Sequence, residues 1–274
     1  VYKIVNVHGH LHKSRDVKEM IEDMKRSGVV KFCALALGKQ WEPHGCFNNE
    51  ETISVMKQYP DIVVAMGHIE LGRPYMDSPE KVEILKEKGC SGLKFISPGA
   101  PYNSEIYFPF YERAERYGMP ILFHTGIVSV QPDDRKFGVN AEYMRPFYLD
   151  RVARCFPNLK IILGHPGEPY FQEALTLTEF YPNIYLCPAG GSGSDFHISK
   201  IKTGLNPFLG ADMNNPDENV AKFYFRKFVF GTDNPPASVW YSQSIRLMDY
   251  FQIDDETRHL YFYKNAERIF NWQL

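Results

Sequence analysis

Eight short apolar runs punctuate the chain: Tyr2–Val7, Lys31–Leu37, Ile62–Gly67, Gly92–Ile96, Pro120–Phe123, Lys160–Leu163, Asn183–Cys187 and Lys227–Phe230. They are nearly continuous rather than alternating. Strands read that way when both faces are covered, as in a parallel sheet wrapped by helices. Between the runs, apolar positions recur at helical spacing. Arg15–Ser27 sets Val17, Met20, Ile21 and Met24 on one face, and Gly28 can stop it. Ser78-Pro79-Glu80 supplies a cap, a first-turn proline and an acid for a helix running to Lys88. The same pattern predicts helices over Asn49–Tyr59, Glu105–Tyr117, Tyr143–Phe156, Tyr170–Tyr181, Ala237–Phe251 and Asp255–Phe270.

Eight strand–helix pairs in 274 residues predict an α/β fold, a (β/α)₈ TIM-like barrel with residues 1–274 as a single domain. An open doubly wound sheet is the structural alternative. No glycine-rich dinucleotide turn follows the first run, which argues against it. The long stretch Pro188–Arg226 holds a Gly/Ser segment suited to a loop or lid at the mouth, or to a surface insertion.

Composition narrows the function. Lys plus Arg number 31 against 33 Asp plus Glu, for a net charge of −2. That balance does not suit a nucleic-acid binder. No apolar stretch approaches the ~18 residues of a transmembrane helix, so no membrane partner is expected. Val1–His10 lacks the basic start and long apolar centre of a signal peptide. Five scattered cysteines without a CxxC pair read as reduced thiols, which points to the cytoplasm. The expected partner is a small-molecule substrate, with a homodimer as the commonest assembly.

The chemistry concentrates at one end of the predicted strands. His8 and His10 follow the first run, and residues two apart in an extended segment share a side. His124 follows the fifth run (FHTG), His165 the sixth (GHPG) and Asp233 the eighth (GTD), while Lys94 lies in the fourth. Barrel active sites form where those ends meet. Imidazoles plus a carboxylate suit one divalent metal, Zn²⁺ foremost, with Mn²⁺ or Fe²⁺ as alternatives by ligand type. Lys94 suits either a cation that holds a substrate carboxylate or a mouth lysine paired with an acid. His12, Arg73 and Tyr102, in loops after the first, third and fourth runs, are further candidates for substrate binding. Ordinary loop packing is the competing explanation for each.

Taken together, the HxH pair, FHTG, GHPG, GTD and the terminal KNAERIF segment (Lys264–Phe270) resemble the amidohydrolase superfamily. More narrowly they resemble its amidohydrolase 2 branch, which includes proteins like aminocarboxymuconate semialdehyde decarboxylase and pyrone dicarboxylate lactonase. The resemblance implies a barrel with one metal held by His8, His10, His124 and Asp233. It implies His165 beside the water or substrate as a base or electrostatic aid, and Asp233 as both ligand and proton acceptor. Some lactonases of the branch work without a metal.

Three functions compete. The first is a metal-dependent hydrolase in which a metal-activated water attacks the carbonyl of a small carboxylated lactone, ester or amide. The second is a nonoxidative metal-dependent decarboxylase of an unsaturated or aromatic acid. The third is a degenerate, non-catalytic metal-binding barrel. No GxSxG elbow and no P-loop is present, which argues against a serine hydrolase and nucleoside-triphosphate chemistry.

Overall fold

Among the described residues, seven parallel strands pair in chain order to form a nearly closed barrel. They are β1 (Ile4–Gly9), β2 (Val29–Leu35), β3 (Val63–His68), β4 (Gly92–Phe95), β5 (Ile121–His124), β6 (Ile161–Gly164) and β7 (Ile184–Cys187). The computed structural model describes residues 2–72, 74–190, 195–205 and 220–274. Every residue of β1, β3, β4, β5, β6 and β7 is buried, as their unbroken apolar character requires.

The eighth run does not form a full strand. Among the described residues it makes one parallel bridge, Leu186 to Phe228. The reason lies in its neighbours. The Phe230 N–H donates to the Tyr261 carbonyl, and the Asn265 amide donates to the Phe228 carbonyl, so groups that would build a ladder are taken. The segment still closes the ring. Val229 N–H donates to Leu186 O, and Val7 N–H donates to Phe230 O, each at 2.9 Å.

Helices cover the outside. They include α1 (Val17–Arg26), α2 (Asn49–Gln58), α3 (Lys81–Glu87), α4 (Phe108–Arg116), α5 (Asp134–Phe137), α6 (Leu149–Cys155) and α7 (Phe171–Phe180). After β7 come α8 (Asp195–Leu205), α9 (Val220–Phe225), α10 (Ala237–Tyr250), α11 (Asp255–His259) and α12 (Asn265–Phe270). The Asp16 side chain caps α1 by accepting the Glu19 N–H, and Ile21 and Met24 face inward. The closing helix expected over Asp255–Phe270 is interrupted by a π-helical turn at Leu260–Lys264, which brings Asn265 to the Phe228 carbonyl. Part of the expected loop at 188–226 is helical, as α8 and α9, while 191–194 and 206–219 lie outside the described residues. Among the described residues no helix is long and apolar enough to cross a membrane.

Candidate active site

β1, β3, β5 and β6 run a residue or two further than the hydrophobic pattern predicts. His8, His68 and His124 are therefore strand residues, held rigidly near the carboxyl ends of β1, β3 and β5. Backbone pairing brings the eighth segment against β1 there. Thr232 and Asp233 N–H both donate to the His8 carbonyl, at 2.8 and 2.7 Å, and His10 N–H donates to the Asp233 carbonyl at 3.2 Å. The left-handed backbone of Asp233, at φ 57°, turns its carboxylate inward. His165 is likewise left-handed, at φ 76°. Non-glycine residues in that region are costly and collect at functional sites.

Asp233 Oδ1 lies 3.4 Å from His8 Nε2 and 3.4 Å from His10 Nε2. His10 Nδ1 lies 3.1 Å from the Leu35 carbonyl. A carbonyl only accepts, so Nδ1 carries the proton and Nε2 presents a lone pair to the carboxylate. Two acceptors facing each other at that distance call for a cation between them. His8 adds to the demand. It is completely buried, and neither ring nitrogen has a hydrogen-bond partner among the described residues. A buried imidazole left without a hydrogen-bond partner fits the chemistry of a metal ligand.

Burial holds these imidazoles neutral, which is the form that ligates. It pushes His8 well below its ordinary value, reinforced by Lys94 and the neighbouring imidazoles. It does the same to His124, reinforced by His165 and Lys94. His10 is lowered from 6.5 to about 4, again chiefly by burial, with Asp233 opposing. The donor set fits a first-row dication.

The structure brings most of the expected residues together, with one shift of emphasis. Donor atoms from His8, His165 and Asp233 lie within 4.8 Å of one another. His10 adjoins this group through the shared Asp233 oxygen. The His124 ring packs against that of His165, tilted by 58° with centroids 4.5 Å apart, but its Nε2–H donates to the Ile127 carbonyl at 3.1 Å. His165 Nδ1–H donates to the Ala189 carbonyl at 2.7 Å.

The substrate-binding candidates separate. Lys94 is fully buried, and its Nζ has no hydrogen-bond partner among the described residues. Burial lowers it from 10.5 to about 8, opposed by Asp233 and Cys187. Tyr102 is packed in the core, where its hydroxyl donates to the His124 carbonyl at 3.0 Å and to the Phe95 carbonyl at 3.3 Å. It braces the strand ends rather than facing open space. His12 is half-buried and tied by Nε2 to the His44 carbonyl and by Nδ1 to Ser14 Oγ, at 2.5 and 2.6 Å. Arg73 lies outside the described residues.

A groove of about 600 Å³ opens beside His10 and Asp233, between the segment after β1 and the one before α10. That volume suits a small molecule. Arg15 and Asn234 line it as well, and neither stands out in the sequence. The only signal at Asn234 is the prolines that follow, Pro235 and Pro236, which stiffen its main chain.

An amidohydrolase family model (Amidohydro_2) matches residues 80–272, taking in Lys94, His124, His165 and Asp233. No curated protein matches the chain. Among solved structures, an uncharacterised TIM-barrel protein from Bordetella bronchiseptica is similar at 20% identity and a TM-score of 0.64, over 94% of this chain and 84% of that one. A probable 2-pyrone-4,6-dicarboxylic acid hydrolase from Acinetobacter baumannii, with citric acid bound, is 14% identical at a TM-score of 0.63, over 99% and 100%. A 5-carboxyvanillate decarboxylase from Novosphingobium aromaticivorans, with bound manganese and 3-methoxy-4-hydroxy-5-nitrobenzoic acid, is 17% identical at 0.55, over 93% and 80%. These likenesses bear on the fold. The family match spans well over half of the sequence, and the chain belongs to the amidohydrolase family.

Proposed function

We propose that the protein is a metal-dependent hydrolase acting on a carbonyl of a small carboxylated lactone, ester or amide. The observation that carries this reading is the opposition of two acceptors, His10 Nε2 and Asp233 Oδ1, beside the orphaned imidazole of His8. His8, His10 and Asp233 would hold the ion, with His165 the nearest further donor and His124 behind it. The manganese in the decarboxylase structure supports a divalent ion of this kind. Such an ion polarises a carbonyl and lowers the pKa of a bound water. Asp233 takes the proton of the attacking water, and His165 faces the charge that develops on the carbonyl oxygen. Lys94 supplies a buried positive charge for the substrate carboxylate.

Lys94 also favours a second reading, nonoxidative decarboxylation. A buried ammonium without a partner is suited to holding the carboxylate that leaves as CO₂. The two readings separate in one assay. The protein, supplied with Zn²⁺ or Mn²⁺, is tested on lactones and on hydroxylated aryl carboxylic acids, with released acid and released CO₂ followed in parallel. Acid without CO₂ supports hydrolysis, and CO₂ from the aryl acids replaces it with decarboxylation. Metal analysis of His8→Ala and Asp233→Asn tests the site itself: unchanged metal content would remove the ligand assignment.

A further inference from the structure

Asp233 has two carboxylate oxygens, and they face different ways. Oδ1 faces the His8 and His10 rings. Oδ2 accepts a hydrogen bond from the Asn234 side-chain amide at 3.0 Å. An ionised carboxylate only accepts, so the amide nitrogen must be the atom that faces it. The Asn234 main chain is itself held. Arg15 donates to the Asn234 carbonyl from across the groove, and Pro235 restricts the backbone of the residue before it. The amide is therefore delivered to Oδ2 by a stiff segment rather than by a wandering side chain.

We propose that Asn234 is a positioning residue for Asp233: its amide ties down Oδ2 and so presents Oδ1 to the ion shared with His8 and His10. This rests on the metal reading above and adds to it a residue that acts on the ion through Asp233. The carboxylate would otherwise rotate about its last torsion, which is broad and soft. Partners of this kind behind a ligand typically contribute about 10–100-fold to metal affinity. Asn234 is solvent-exposed, and water can partly replace it, so its share falls at the lower end.

The test is titration of the full-length protein with Zn²⁺ against a chelating indicator. Asn234→Ala should bind about tenfold more weakly with an unchanged melting temperature. Asn234→Gln, which keeps an amide donor, should recover affinity to within about threefold. Asn234→Ala within about twofold of the parent, or Asn234→Gln as weak as Asn234→Ala, would overturn the inference. Asp233→Asn, run alongside, separates the two levels. If it loses the ion while Asn234→Ala does not, only the positioning role fails. If it binds as the parent does, the metal reading fails with it.

Discussion

The rings of His124 and His165 lie with centroids 4.5 Å apart and their planes tilted by 58°, yet each gives its N–H to a different loop carbonyl, Ile127 and Ala189. The pair therefore divides its labour by tautomer. His165 brings a ring nitrogen within 4.8 Å of the donor atoms of His8 and Asp233. His124 spends Nε2 on the loop after β5 and keeps Nδ1. His165→Ala should cost more than the ~10–100-fold in metal affinity expected from a residue behind the ligands, and His124→Ala should cost less than His165→Ala. Chelator competition on the two variants checks the order. The reverse order would return His124 to the ion.

Acid should destabilise the metal-free protein earlier than an average fold. His10 titrates at about 4 in the folded chain against 6.5 in its absence, and His8 and His124 are shifted the same way. Between those values the unfolded chain binds more protons, so stability falls as pH falls. The loss begins near 6.5 and is complete for His10 by about 4. Bound metal should oppose it, because the ion takes the lone pairs that protons would take. Melting temperatures measured from about pH 7 to about pH 4, with chelator and with Mn²⁺, should diverge in that window. Parallel curves would show that the histidines are not held neutral.

Lys94 should be a stability cost retained for function. Lowering a lysine from 10.5 to about 8 by burial corresponds to a penalty on the order of 3 kcal/mol. Lys94→Met keeps the length of the side chain and removes the charge. It should raise stability by about 1–3 kcal/mol below pH 8, and the gain should shrink as pH rises toward 10.5. Activity should fall together with affinity for carboxylated substrates. Denaturant unfolding at two pH values checks the sign. A variant less stable than the parent at neutral pH would show that the ammonium is compensated.

The barrel is legible in the sequence because six of its strands are wholly buried and β2 is buried from Phe32 onward, and nearly unbroken apolar runs are the direct consequence. The eighth run looks like a full strand in the sequence and is not one. Lys227–Phe230 is as apolar as the others, but its hydrogen bonds go to Tyr261 and Asn265, and no local pattern reports where a carbonyl finds its partner. The site was legible for a different reason. Strand ends converge by topology, so His8, His10, His124, His165 and Asp233 group from the sequence without knowing a distance, whereas the hydrogen bond that commits His124 Nε2 to the Ile127 carbonyl depends on how the loop after β5 folds. Tyr102 was not readable, because its loop folds back and buries the hydroxyl against Phe95 and His124. Asn234 carries no sequence signal of its role, which depends on which oxygen of Asp233 faces its amide.

Gly190 shows how closely the loop after β7 fits His165. Its φ of 146° lies where side chains are strained, and a Cβ there would come 2.6 Å from His165 Nδ1. The same stretch supplies the Ala189 carbonyl that fixes the His165 tautomer. Gly190→Ala should therefore push the ring away and break that hydrogen bond, through strain and overlap together. The barrel-closing hydrogen bond is made by Leu186, inside β7 and ahead of this loop, so the fold should survive with a modest loss of stability. The expected result is metal affinity and activity reduced toward those of His165→Ala, with circular dichroism unchanged. If Gly190→Ala keeps both, the loop moves freely and the Ala189 carbonyl does not hold His165 in place.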